Sequence, residues 1–225
     1  MKHTLGLILF ITMVLAAGRC MGDLYLDDGG SYTIEDTVSG SLYVDYNVPP
    51  STGTTVEIIA PGEVMDTVYT YGTSELTINR GSVGGGQYVA GIVAADTSRG
   101  AVESGTIGDT IVGLADSAFR FSGGSIQGDF VIAAGEIGNY DRSTFVFVGS
   151  DFLIDGQPAP YGVYDTGGTG FRAGSIAGTL ADGNPFGSPY TMYDGGSIVL
   201  VPEPLTLAAL VPGGVAIAMR RRRRI

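Results

Sequence analysis

From Met21 onward the chain contains no histidine, lysine, cysteine or tryptophan; the single His3 and Cys20, and the one lysine, Lys2, all lie before it. Each absence removes a class of chemistry. Without imidazole, neither a Ser-His-Asp triad nor a His-ligated zinc site can be assembled in that stretch. Without lysine there is no Schiff base and no Walker-type phosphate clamp. One cysteine cannot close an intramolecular disulfide. The strained nucleophile turn G-x-S-x-G is missing as well.

Positive charge is equally scarce. All 23 acidic residues fall between Asp23 and Glu203, where the basic residues are five arginines: Arg80, Arg99, Arg120, Arg142 and Arg172. That stretch therefore carries 5 − 23 = −18 charges. Such a surface repels nucleic acid, which is excluded as a partner, and leaves divalent cations as the more natural counter-charge. What the chain has in abundance is glycine, 37 of 225 residues, without the every-third-residue period of collagen. At 44% hydrophobic residues and a mean hydropathy of +0.25 it is no polar linker. Glycine with Val, Ile and Tyr points to short strands and tight turns.

Both ends read as addresses. Lys2-His3, an apolar run from Leu5 to Ala17, and small residues at Ala16, Ala17 and Gly18 form a secretory signal peptide, assigned to residues 1–22. Cleavage after Gly18 or Gly22 fits the small-residue rule, and Arg19 disfavours lipid attachment through Cys20. At the other end, Val201-Pro202-Glu203-Pro204 is a stiff extended spacer. Leu205 to Met219 is apolar, and Arg220, Arg221, Arg222, Arg223 and Arg224 precede the final Ile225. As a helix those fifteen apolar residues would rise roughly 22 Å, short of a ~30 Å hydrocarbon core, with snorkelling arginines covering part of the deficit. The arginines stay cytoplasmic, which places the body outside.

In this order, the Pro-Glu-Pro, the Leu/Ala/Gly-rich span and the arginine cluster resemble the PEP-CTERM sorting signal of exported bacterial proteins. The resemblance covers residues 201–225. It implies recognition by an exosortase, a membrane protease that cuts near the Pro-Glu-Pro. It also implies transient anchoring in the inner membrane and a destination in the cell surface or extracellular polysaccharide matrix. Pro212-Gly213-Gly214 within the span departs from a smooth helix and makes a permanent anchor less apt.

Residues 23–200, between the two addresses, alternate rather than follow a helical period, as in Ser31 to Glu35 and Ser41 to Tyr46. Gly-Ser/Thr-apolar triplets recur at Gly81-Ser82-Val83, Gly105-Thr106-Ile107, Gly124-Ser125-Ile126, Gly174-Ser175-Ile176 and Gly196-Ser197-Ile198, with a degenerate copy at Gly149-Ser150-Asp151-Phe152. The expectation is an all-β, right-handed β-solenoid of stacked short strands, with a β-sandwich as the alternative. Pro158 and Pro160 mark a seam between Tyr140 and Tyr164, ahead of a terminal unit.

Two kinds of site survive the exclusions. Calcium is the one cofactor left open, with turn carboxylates Asp27, Asp28, Asp151, Asp155 and Asp182 as candidates, although none sits in a named calcium loop. A carboxylate pair could cleave glycans, with Arg120, Arg142 or Arg172 beside it, but 23 acids make some such pair inevitable. Tyr43, Tyr46, Tyr69 and Tyr71 read as strand packing, with sugar stacking as their other use. The expectation is a non-enzymatic structural or adhesive exported protein. The alternative is a polysaccharide-binding or -cleaving protein on the same scaffold.

Overall fold

The computed structural model describes residues 12–14 (backbone only), 22–46, 53–84, 90–132, 142–167 and 170–203. Among them there is no helix. The chain is an all-β solenoid whose short strands stack in parallel on three faces.

Every face follows from the period of two in its strands. On the first face, Leu24–Leu26, Leu42–Val44, Val68–Thr70, Ile92–Ala94, Ile111–Gly113 and Phe130–Ile132 pair in register. In the last five of these strands the two outer residues are buried and the middle one turns outward. The second face stacks Ser31–Ile34, Thr55–Ile59, Glu75–Asn79, Arg99–Val102, Ala118–Phe121 and the start of Thr144–Ile154. The third stacks the two-residue strands Thr37–Val38, Glu63–Val64, Ser82–Val83, Thr106–Ile107 and Ser125–Ile126.

Three of the Gly-Ser/Thr-apolar triplets therefore mark successive rungs of the third face, beginning at Ser82, Thr106 and Ser125. The other three do not. Gly149-Ser150-Asp151-Phe152 lies inside the long strand Thr144–Ile154, Gly174-Ser175-Ile176 inside Phe171–Leu180, and Gly196-Ser197-Ile198 opens Ser197–Pro202, which belongs to the second face. Two true rungs, at Val38 and Val64, lack the full triplet. A steadier signal is the four-residue step from the third-face apolar residue to the first-face one: Val38 to Leu42, Val64 to Val68, Ile107 to Ile111, Ile126 to Phe130. Between Val83 and Ile92 the step is nine, the extra length including residues 85–89, which lie outside the described set.

One corner glycine is needed for its backbone. Gly105 has φ of 105° and packs so closely on the Gly81 carbonyl that no side chain fits. At the corner after the first face, the equivalent positions Gly72, Asp96 and Ala115 are all left-handed, with φ of 61°, 57° and 52°. Asp96 uses the conformation, since its Oδ2 accepts the Gly72 amide at 3.0 Å and so ties two rungs together.

The core changes character along the axis. Val56, Ile58, Leu76 and Ile78 fill the early rungs, and Phe119, Phe121, Phe130, Phe145 and Phe147 the later ones, all essentially inaccessible. Phe121 and Phe147 stack at 4.9 Å, and Phe147 stacks on Phe186 at 5.2 Å. Each buried ring contributes about 2–3 kcal/mol by area, and well-placed aromatic pairs about 1 kcal/mol more. A vacancy accommodates one of them: Gly100 is in register with Phe119, whose ring occupies the space a Cβ would need.

The seam anticipated around the two prolines is where the stack ends. Strand Thr144–Ile154 runs on past the second face and pairs antiparallel with Gln157–Pro158 and with Phe171–Leu180, which pairs antiparallel with Pro185–Tyr193. Tyr190 to Met192 closes the first face, and Ser197–Pro202 closes the second, with Gly162–Asp165 antiparallel at its edge. This mixed sheet covers the C-terminal end, burying Phe152, Ile176, Leu180 and Met192. At the N-terminal end, Thr12–Val14 pairs in parallel with Ser31–Thr33. The rest of the expected leader, and the sorting segment from Pro204 onward including Arg220 to Arg224, lie outside the described residues. Among the described residues no helix is long and apolar enough to cross a membrane.

Candidate functional site

In-register parallel stacking carries the outward middle residue of each first-face strand into one line: Tyr25, Tyr43, Tyr69, Val93, Val112 and Val131. The three tyrosines form a ladder. Tyr25 and Tyr43 stack at 4.6 Å with planes 6° apart, and Tyr43 and Tyr69 at 4.8 Å and 5°. Two more rings rise from the following corners. Tyr46 meets Tyr43 edge-on at 5.2 Å and Tyr71 edge-on at 5.2 Å. Tyr46 also lies 6.4 Å from Tyr25 at 58°, leaving a notch between two rings that are each 49% exposed.

Tyr43, Tyr46, Tyr69 and Tyr71 thus do pack, but on one another outside the solenoid rather than within its core. Tyr25, which completes the ladder, was detectable only as the middle of the alternation Leu24-Tyr25-Leu26 next to the expected leader. Burial pushes the Tyr71 phenol up to about 12, with neighbouring phenols and Asp96 adding to it. Tyr43 is raised too, chiefly by burial, against a hydrogen bond with Ser41 that lowers it, while the nearby Asp23, Tyr69 and Tyr25 push it further up. Tyr43 and Tyr71 therefore stay uncharged through neutral pH. The cluster's charged neighbours are acidic: Asp27 Oδ1 accepts the Tyr46 amide at 3.0 Å, and Asp23 Oδ1 accepts the Ser41 amide at 2.9 Å. The cation–ring contact found among the described residues lies elsewhere, Arg172 over Tyr190 at 5.9 Å.

A column of buried hydroxyls runs behind the second face on five successive rungs: Thr54, Ser74, Ser98, Ser117 and Ser143, all with no accessible surface. Thr54 donates to Asp45 Oδ1 at 2.6 Å and Ser74 to the Tyr71 carbonyl at 2.7 Å. Ser98 accepts from Thr70 at 3.3 Å, and Ser143 donates to the Gly113 carbonyl at 3.3 Å. Ser117 Oγ has no partner among the described residues. The sequence signal, a hydroxyl residue directly before five of the second-face strands, is hidden among so many Ser and Thr.

The five calcium candidates do not converge, and no group of three acidic side chains suited to a metal occurs among the described residues. They serve turns instead. Asp28 accepts the Gly30 amide at 2.8 Å and the Tyr32 hydroxyl at 2.5 Å. Those bonds hold its carboxyl below the usual range and raise Tyr32 to about 12. Asp155 pairs with Arg172 at 3.1 Å and accepts the Ser175 amide at 3.0 Å. Asp182 accepts the Gly124 amide at 2.7 Å, fastening the terminal hairpin to a solenoid corner. Asp151, with φ of 53°, accepts from the adjacent Ser150 hydroxyl. It borders an open cleft of about 330 Å³ formed with Phe152, Pro158, Ala159, Pro160 and Tyr161.

An enzymatic groove would gather carboxylates around an arginine. Arg172–Asp155 is the one ion pair among the described residues, and Arg99 spends its guanidinium on the Ser98 and Asp116 carbonyls. In comparison with known proteins, no family model matches the chain, and no curated protein or solved structure shows significant similarity to it.

Proposed function

We propose that this is an exported structural or adhesive protein of the cell surface or extracellular polysaccharide matrix. In this reading the leader directs secretion, and an exosortase removes the segment after the Pro-Glu-Pro. The protein is transiently anchored in the inner membrane before that cut, and it has no catalytic role. The observation that supports the reading most is the position of the final strand among the described residues. That strand, Ser197–Pro202, adds Ile198 and Leu200 to the core and ends within Val201-Pro202-Glu203-Pro204. A cut after that motif removes no buried side chain of the described residues. The resemblance of residues 201–225 to the sorting signal supplies the processing enzyme, and the acidic, lysine-free body suits a passive extracellular scaffold.

Mass spectrometry of the protein recovered from the cell exterior tests this. The expected product begins near Arg19 or Asp23 and lacks Leu205 to Ile225. Recovery of an intact chain from the cytosol, or of an exported form that retains the arginine cluster, overturns it. A second reading, binding of an extracellular polysaccharide, is favoured by the exposed tyrosine cluster. A cleaving activity has no comparable support, since carboxylates and arginines are spread around the rungs.

A further inference from the structure

We propose that the notch between Tyr25 and Tyr46, beside Asp27, which accepts the Tyr46 amide, binds an amine-bearing glycan, a polymer of amino sugars whose nitrogens carry positive charge. This deepens the matrix reading above and rests on it for the choice of a glycan. The ladder uses most ring faces on itself: Tyr43 is covered on both sides by Tyr25 and Tyr69. Tyr25 has no ring beyond it among the described residues, and Tyr46 touches its neighbours at an angle, so these two rings are the ones left half-exposed. Inclined at 58° with centres 6.4 Å apart, they form two walls of a cage of the kind that attracts an ammonium group through the negative faces of the rings.

The carboxylate makes the notch selective. Asp27 Oδ1 accepts the Tyr46 amide, a bond that fixes the ring's corner, and Oδ2 has no hydrogen-bond partner among the described residues. No arginine contacts the cluster among the described residues, so a cation arriving there displaces none. A body carrying −18 charges attracts a polycation over several ångströms and repels acidic polysaccharides. The exposed phenols of Tyr25 and Tyr46 offer hydroxyls that hydrogen-bond sugar hydroxyls, whereas a lysine-rich peptide would use only the charge.

The test uses the full chain in detergent, titrated with glucosamine oligomers, with their fully N-acetylated counterparts, and with poly-lysine of matched charge. The glucosamine oligomer is expected to bind at least about tenfold more tightly than the acetylated one. The double substitution Tyr25→Ala with Tyr46→Ala, and separately Asp27→Asn, should each weaken it about fivefold or more. Asn keeps the acceptor for the Tyr46 amide, so that variant removes charge without loosening the corner. Tyr161→Ala, at the distant cleft, should change nothing. Equal binding of the acetylated oligomer, equal or tighter binding of poly-lysine, or insensitivity to the notch substitutions overturns the proposal. Any of these outcomes leaves the processed ends, and hence the export reading, to their own measurement.

Discussion

A glycine in the second face has its missing side chain replaced by a neighbour's ring. Phe119 fills the space above Gly100, and any Cβ there collides with ring carbons that stacked neighbours prevent from moving away. Gly100→Ala should therefore cost about 1–3 kcal/mol, the usual penalty of overpacking a tight core, measured as a fall in the urea midpoint with an unchanged slope. Ala115 presents the opposite case. It holds a left-handed φ of 52° that its two rung equivalents fill with glycine and aspartate. Ala115→Gly should raise stability by about 1 kcal/mol, because a left-handed alanine is strained by roughly that amount. Neither position could be singled out from sequence, because both depend on which residue lies one rung away.

At the scale of the element, the buried hydroxyl column divides into members that are satisfied and one that is not. Ser74 donates at 2.7 Å to a carbonyl of its own corner, whereas Ser117 lacks an acceptor among the described residues. Ser117→Ala should be neutral or stabilising by up to about 1 kcal/mol, and Ser74→Ala destabilising by about 1–2 kcal/mol. Thermal unfolding of the pair, side by side, distinguishes them; equal losses would contradict the assignment. The strands were the most legible part of the sequence. Alternation around Ser41 to Tyr46 and the triplets at Ser82, Thr106 and Ser125 identified solenoid rungs, because burial of every second residue leaves its mark locally. The cap was less legible. Its hairpins reuse Gly-Ser-Ile at Gly174 and Gly196, and a triplet says nothing about whether the partner strand runs parallel or antiparallel. The sequence marks Asp28, Asp155 and Asp182 as turn carboxylates, and the amides they accept are set by the fold.

For the whole molecule, the composition that excludes most catalysis also isolates one titration. From Met21 onward no lysine, cysteine or histidine is present, so between pH 9 and the arginine range that stretch loses side-chain protons from tyrosine alone. Tyr71 and Tyr32 are raised from 10.0 to about 12, the first mainly by burial and the second mainly by its bond to Asp28. A folded-state value above the unfolded one means the fold favours the protonated phenol. That contribution is complete below pH 10 and disappears as the pH climbs to about 12. Denaturant midpoints should hold level up to about pH 9.5 and then decline, while ultraviolet titration shows a late-ionising fraction of phenols that disappears on unfolding. A single transition near 10 in the folded protein would contradict both shifts.

The gradient from aliphatic to aromatic filling bears on how such a chain could lengthen. Copying the unit that carries Leu76 and Ile78 would set like upon like, with volumes that already match those of Val56 and Ile58. Copying the one that carries Gly100 would lay vacancy against vacancy, with a single Phe119 to occupy both. Growth by duplication is thus open among the early rungs and closed toward the cap, and the later coils are each specific to their place.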